Sequence, residues 1–525
     1  MQKESRAFVN GNVITMDEND TRAEGVLVRE GRITEVGTSK DIEKAAENEG
    51  IPVENLQGRT VLPGFHDCHV HVIGTGMASV GADLYHCSSV QEIIEALKEE
   101  ENKGGEGWLC GVRLDESKLA EKRPPSLKEL TESFPNRGVY LIDRGLHYTV
   151  VNQKAYDEIG YRGIEKGIGL NEEGQPDGRM HETANTMARR HFNDSMTREQ
   201  RRTALQKVQE EAVQKGITTI HAMEGGEMFS DKDVDVFLED RENKDVDFIL
   251  YWDTLEIDKV KEAGLSRIGT DILSDGSIGS RTAAFDEAYC DKNTCGKLYY
   301  TDEFLIEFIG KALESHLQCG FHAIGQRAIR QILDCYEAAY QNHPWKDARF
   351  RIEHFGFCDD TDILRAAKNK IVISTQPSFS YLRGGEGSVY QVRVGKERER
   401  KAYPLRNFVE QGIVVAGGSD SNVTPMDAVL GIHAAVNHPY PEHRVNVYQA
   451  LRMFTIDGAY SAFEEREKGS IEPGKIGDLA ILSQNPYEVP SEKIKEIQVE
   501  MTVKDGRIVY SRDENNKVKT NQFSL

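Results

Sequence analysis

The sequence predicts an α/β protein: a closed (β/α)8 TIM-type barrel beside a small β-domain built from both ends of the chain. Three observations carry this. First, eight apolar stretches read as strands, over 61–71, 217–223, 247–252, 268–274, 320–324, 350–355, 371–376 and 413–417. Most are separated by charged, helically periodic segments such as 197–215, 302–318 and 328–342. Strands alternating with helices argue for parallel pairing through crossover helices, and eight such units close a barrel. Second, the chain begins and ends differently. Short strands over 7–9, 12–16, 25–29, 32–36, 52–56 and 60–62, with turns at Gly11, Gly31, Gly37 and Gly58, are answered by strands over 478–482, 498–504 and 507–510. Third, Val28-Arg29-Glu30-Gly31-Arg32-Ile33 and Val503-Lys504-Asp505-Gly506-Arg507-Ile508 are near copies of one hairpin at opposite ends. Residues 1–63 and 466–525 are therefore expected to form one composite β-domain, and 64–465 the barrel.

The interval 74–194 is too long for a plain crossover between the first two barrel strands. It reads as an insertion with its own strand over 138–143 and a turn over 174–178, expected to act as a lid or substrate wall over the barrel mouth.

Length and composition bound the rest. A chain of 525 residues fits one large domain plus a smaller one. The formal net charge of −22 opposes binding to nucleic acid or an anionic membrane, both of which need a positive surface. No apolar run approaches the ~20 residues of a spanning helix, and Met1-Gln2-Lys3-Glu4-Ser5-Arg6 does not begin a signal segment. The eight cysteines are scattered without a Cys-x-x-Cys pair, so a cytoplasmic protein with reduced thiols is expected. Barrels of this size often pair, and a homodimer is compatible with the chain.

The chemistry starts at Val61-Leu62-Pro63-Gly64-Phe65-His66-Asp67-Cys68-His69-Val70-His71. Residues i and i+2 of a strand share a face, so His69 and His71 can aim two imidazoles at one point, while Cys68 points into packing. Two converging imidazoles suit a divalent transition metal, zinc above all. Later strand ends supply more donors of that kind: His322 on the fifth, His354 on the sixth and Asp420 on the eighth. A barrel of parallel strands gathers such residues at one rim.

Leu62-Pro63-Gly64-Phe65-x-Asp67-x-His69-x-His71 resembles the first-strand signature of the amidohydrolase superfamily of metal-dependent hydrolases, in particular the branch of the N-substituted formamide deformylases. The resemblance runs from about Val9 to Tyr510, and Gly469-Ser470-Ile471-Glu472-Pro473-Gly474-Lys475-Ile476-Gly477-Asp478-Leu479 resembles the C-terminal signature. It implies a β-sandwich of both ends flanking the barrel, and a metal held by His69, His71, His322, His354 and Asp420. Where the family usually bridges two metals with a carboxylated lysine, this chain has Asp271, a shorter side chain that either bridges or merely caps its strand. One or two ions per chain, zinc or another divalent metal, are both compatible. Two further departures are Ala222, after the strand-two His221, and Gln326.

The resemblance implies a hydrolase cleaving a non-peptide C–N bond of a small amide, formamide or cyclic amide. A divalent metal lowers the pKa of bound water to about 7 and polarises a carbonyl. Asp420 would take the proton from the attacking water and return it to the leaving nitrogen. Asp275 in Asp-Gly-Ser is either a second proton carrier or a turn residue, and Glu353 reads as a barrel-core or supporting acid. Three residues are candidates for substrate contact: His147, in a family-like Gly-x-His context, His221, and Arg281, which either binds a substrate oxygen or pins its loop to an acid. The glycine-rich stretch 382–389 reads as a mobile loop after the seventh strand. A deaminase of amino-heterocycles and a catalytically silent regulatory protein are the competing readings. The complete ligand set argues against the second.

Overall fold

Eight parallel strands pair in chain order as one sheet: β1 (Phe65–Val70), β2 (Ile217–Glu224), β3 (Asp247–Trp252), β4 (Arg267–Leu273), β5 (Gln318–Ala323), β6 (Arg351–His354), β7 (Val372–Thr375) and β8 (Val415–Gly417). The computed structural model describes residues 3–77, 80–104, 106–143, 148–161, 166–226, 229–239 and 245–513. A parallel bridge between Val70 and Ser421 joins the first strand to the segment after the last. Two backbone hydrogen bonds of 2.8 Å, Asp420 N to His69 O and His71 N to Ser421 O, complete the closure. The protein is thus the α/β barrel that the alternation predicts. Every residue of β1 is buried, as expected for strands covered on both faces. The helix Gln326–Asn342 shows how the crossovers pack: Ile329, Ile332, Leu333, Tyr336 and Ala339 recur at helical spacing and are all buried.

The first predicted strand, over 61–71, is two strands. Thr60–Pro63 pairs antiparallel with Leu479–Leu482 in a different sheet, and β1 begins only at Phe65. Pro63 has no N–H to continue a ladder. Gly64 passes so close to β2 that a Cβ there would lie 2.2 Å from Thr218 Oγ1.

The two ends of the chain do share one sheet. Its six strands run in the order Arg507–Ser511, Val499–Lys504, Leu479–Leu482, Thr60–Pro63, Asn12–Ile14 and Arg22–Ala23. A second sheet holds Arg32–Gly37, Gly25–Arg29, Arg6–Val9 and Val53–Asn55. Phe8, Val26 and Val28 from the second pack with Val13, Leu479 and Val503 from the first. The two look-alike hairpins therefore belong to opposing sheets. Both turn through two residues of positive φ, Glu30 (47°) with Gly31 (78°) and Asp505 (52°) with Gly506 (78°), the twist-compatible hairpin geometry. Gly477 bridges them: its N–H donates to Gly31 O (2.8 Å) and its carbonyl accepts from Gly506 N (3.0 Å).

The chain divides into two compact units, residues 1–71, 209–223 and 240–525 in one and 72–208 with 224–239 in the other. The second contains the expected insertion. It has a six-stranded sheet of its own, in the order Ile168–Leu170, Pro176–His181, Tyr148–Val151, Val139–Asp143, Leu109–Leu114 and Ala82–Asp83. Its core includes Ile93, Leu97, Leu109, Leu130, Leu141 and Val150. Among the described residues, no helix is long and apolar enough to cross a membrane.

Candidate metal centre

Alternation along β1 brings His69 and His71 to the same side, with their rings edge to face and centroids 5.3 Å apart. His354 arrives from the end of β6, its ring 5.3 Å from that of His69. His322 arrives from β5 and meets His354 edge to face at 4.5 Å. Asp271 comes from β4, and Asp420 from the turn after β8. Asp420 Oδ1 lies 3.3 Å from His71 Nε2 and 3.6 Å from His69 Nε2. Asp271 Oδ2 lies 3.5 Å from His71 Nε2, and its Oδ1 lies 4.0 and 3.9 Å from Nε2 of His69 and His354. Among the described residues, two groups of ligand atoms are close enough to share an ion: His69, His71 and Asp420, and His69, Asp271 and His354. His69 belongs to both, and His322 flanks the second through His354.

The surrounding contacts decide which nitrogen each ring presents. His69 Nδ1 donates to Glu353 Oε2 at 2.8 Å, His71 Nδ1 to the Met223 carbonyl at 3.3 Å and His354 Nδ1 to Gln376 Oε1 at 2.6 Å. Each of these partners accepts, so each Nδ1 carries the proton and each Nε2 presents a lone pair. Those lone pairs face two carboxylates. His69 Nε2, Asp271 Oδ1 and Asp420 Oδ1 are buried and have no hydrogen-bond partner. Buried electron-rich atoms collected at 3.3–4.0 Å repel one another unless a cation lies among them. A set of imidazole nitrogens and carboxylate oxygens is the donor set of a divalent transition metal. The residues fit the ion.

Electrostatics support the supporting acids as well as the ligands. Burial pushes the Glu353 carboxyl up, but the buried Arg351 guanidinium and His69 outweigh it and hold it down at about 2. Arg351 Nε and Nη2 donate to the two Glu353 oxygens at 2.8 and 3.1 Å, and Nη2 also donates to Cys68 O at 2.9 Å. Burial also opposes ionisation of Asp420, and it is positive charge beside it, on His69 and His71 or on an ion in their midst, that brings it to about 2. Burial pushes Asp67 up to about 6, and its Oδ1 accepts Ser419 N–H at 2.8 Å, tying β1 to the β8 turn. Burial and the neighbouring His322 lower His354 to about 3. Both His354 (φ 68°) and Asp420 (φ 54°) take left-handed backbone, which aims strand-end side chains off the regular pleat.

Other predicted residues land elsewhere. His221 has no exposed surface and sits in the barrel interior, its Nδ1 2.9 Å from Arg351 Nη1 and its ring 6.0 Å from His66. Its position is that of a core residue packed beneath the cluster's supporting Arg351. Arg281 takes its structural alternative, with Nε and Nη2 on the Asp291 carboxylate at 2.9 and 2.8 Å. Asp275 accepts N–H groups from Ala284, Ile324 and Gly325 at 2.8–3.0 Å and lies 3.4 Å from His322 Nδ1, so it orders loops and a histidine rather than carrying protons. His147 lies outside the described residues. The stretch 382–389 spans the end of one short helix, Pro377–Arg383, and the start of another, Val389–Val394, and Gly385 N–H is held by Glu399 Oε1 at 2.7 Å. Sequence reasoning missed Asp253, Gln376 and Arg351. Asp253 follows β3 directly, and an acid at a barrel strand end was the signal available.

With this geometry in view, the comparisons are specific. The amidohydrolase family model matches residues 52–510. The chain belongs to the amidohydrolase family. A putative amidohydrolase of Bacillus subtilis, YtcJ, is 28% identical over 96% of this chain and 98% of its own length. The N-substituted formamide deformylase of Arthrobacter pascens is 27% identical over the same shares, 96% and 98%. The crystal structure of an uncharacterised metal-dependent hydrolase from Pyrococcus furiosus superposes with a TM-score of 0.79, at 26% identity, over 92% of this chain and 100% of that one. Membership supports a metal-dependent hydrolase, and the His/Asp cluster is where this amidohydrolase would hold its metal.

Proposed function

We propose that the protein hydrolyses a non-peptide C–N bond of a small amide, formamide or cyclic amide, with zinc at the His/Asp cluster. The observation that carries this is the convergence of His69, His71, His354, Asp271 and Asp420, with His69 Nε2, Asp271 Oδ1 and Asp420 Oδ1 buried and without a hydrogen-bond partner. A full-length relative of this chain is named for N-substituted formamide deformylation, which supports the bond class. A divalent ion bound there supplies a Lewis acid for a carbonyl oxygen and a more acidic water. The chain's own residues do the rest. His69, His71 and His354 present Nε2 because Glu353, the Met223 carbonyl and Gln376 hold the opposite ring nitrogens. Asp420 stays a carboxylate at rest and accepts the proton of the attacking water at Oδ. It then returns that proton to the departing nitrogen, which would otherwise leave as a poor anion. Glu353 and Arg351 keep His69 in one tautomer throughout.

The test is turnover of the zinc-loaded protein on a panel of N-formyl amines, cyclic amides and amino-heterocycles. Formate or carboxylate release from the amides, abolished by a chelator and restored by zinc, is the expected result. Ammonia release from the heterocycles alone would replace this reading with deamination, and full metal loading without turnover of any class would favour a binding role.

A further inference from the structure

Asp271 has a short side chain, yet its oxygens reach the histidine cluster. β4 brings it there by bulging. Arg267, Ile268 and Gly269 pair with Gln318, Cys319 and Gly320, and the next pair is Leu273 with His322. Four steps of β4 therefore face two steps of β5, and Thr270, Asp271 and Ile272 leave the ladder. The bulge turns on two consecutive residues of positive φ, Gly269 (74°) and Thr270 (92°). For a buried β-branched residue that conformation is strained and must be held by its surroundings. One holder is plain: Asp271 N–H, released from the ladder, donates to Asp253 Oδ1 at 2.9 Å. Asp253 is the first residue after β3, the strand beside β4.

We infer that Asp253 is a positioning residue that holds the β4 bulge open, and so sets the reach of the Asp271 carboxylate into the histidine cluster. The inference rests on the reading of Asp271 as a metal ligand. Asp253 accepts one hydrogen bond and also faces the charges of Asp271 and His71, and the choice of substitution separates the two effects. Asn at 253 keeps an acceptor oxygen in the same place, while Leu of similar size does not.

The experiment measures Zn2+ affinity by competition with a chelating dye, with circular dichroism as a check on folding, for wild type, Asp253→Asn, Asp253→Leu, Gly269→Ala and Asp271→Asn. Loss of an outer partner of a metal ligand typically weakens metal binding about 10–100-fold. Asp253→Leu is expected to show that loss, and Asp253→Asn to stay within about threefold of wild type. Gly269→Ala attacks the bulge without touching either acid, because its Cβ would lie 2.7 Å from Gly320 O at a φ unsuited to alanine. It should weaken binding likewise, and it decides the matter if Asp253→Leu fails to fold. Wild-type affinity in both Asp253→Leu and Gly269→Ala would overturn the inference, as would equal loss in Asp253→Asn and Asp253→Leu. Unchanged affinity in Asp271→Asn would instead overturn the ligand reading beneath it.

Discussion

At the scale of single residues, Asp420 carries the heaviest expectation. Its carboxylate faces His69 and His71 and has an oxygen without a hydrogen-bond partner. Asp420→Asn removes the proton acceptor and keeps the shape, so kcat should fall about 10²–10⁴-fold while most metal stays bound. Asp420→Glu should recover little, because one methylene moves the base by about an ångström. The measurement is kcat with metal content in each variant; near-normal turnover at full metal would remove Asp420 from the mechanism. Glu353 makes a different prediction. It touches His69 from behind, so Glu353→Gln should weaken Zn2+ binding about 10–100-fold, read by dye competition, without altering the ligands themselves. Part of this was legible beforehand. The ligand types and their strand-end positions stand in the sequence, and Arg351-x-Glu353 obeys strand alternation. That Glu353 meets His69, 284 positions away, does not appear in any local pattern.

At the scale of elements, the join between β1 and the β8 turn decides whether the ligands meet. Gly418 lies against β1 so closely that a Cβ would stand 2.8 Å from His69 N and 2.9 Å from His69 Cβ. Gly418→Ala must push the turn outward or shift His69, and overpacking of a tight core costs about 1–3 kcal/mol. We expect a lower Tm together with weaker metal retention; an alanine variant with wild-type Tm and metal would show that the turn yields freely. Gly417-Gly418 before Asp420 was readable as a place of close approach. The bulge of β4 was not, because Gly269-Thr270 reads as ordinary strand sequence and only the pairing with β5 shows four residues against two. The strand over 61–71 was misread for a similar reason. One apolar run crosses from one sheet to another, and hydrophobicity alone does not mark the crossing at Gly64.

At the scale of the molecule, the C-terminal end of the chain is fastened to the barrel by two buried lysines that meet the partly exposed Asp247. Lys504 Nζ lies 3.2 Å from both Asp478 and Asp247, and Lys468 Nζ lies 2.5 Å from Asp247. Asp247 opens β3, whereas the other three residues belong to the C-terminal segment. Removing one partner of a buried ion pair strands the other charge and costs about 3–5 kcal/mol. Lys504→Met should therefore lower stability to urea by about that amount while leaving the ligand geometry intact. A variant as stable as wild type would mean that Lys468 alone satisfies both acids. Deleting 466–525 should do more, since it strips three strands from a six-stranded sheet and uncovers Thr60–Pro63. Aggregation on expression is the expected outcome, and a soluble, cooperatively folding product the contrary one.

By itself the sequence determined the barrel, the pairing of the two ends and a set of candidate ligand residues. Each of these is written in local terms: periods of two and of 3.6, glycine turns, a repeated hairpin, and metal-type side chains at strand ends. Tertiary structure alone decided which nitrogen each histidine presents, that Asp271 reaches the cluster over a bulge, that His221 is a core residue and that Arg281 serves its own loop. Those outcomes depend on distances between segments hundreds of residues apart. Such distances are set by how strands close and pack, and no pattern confined to one stretch of chain encodes them.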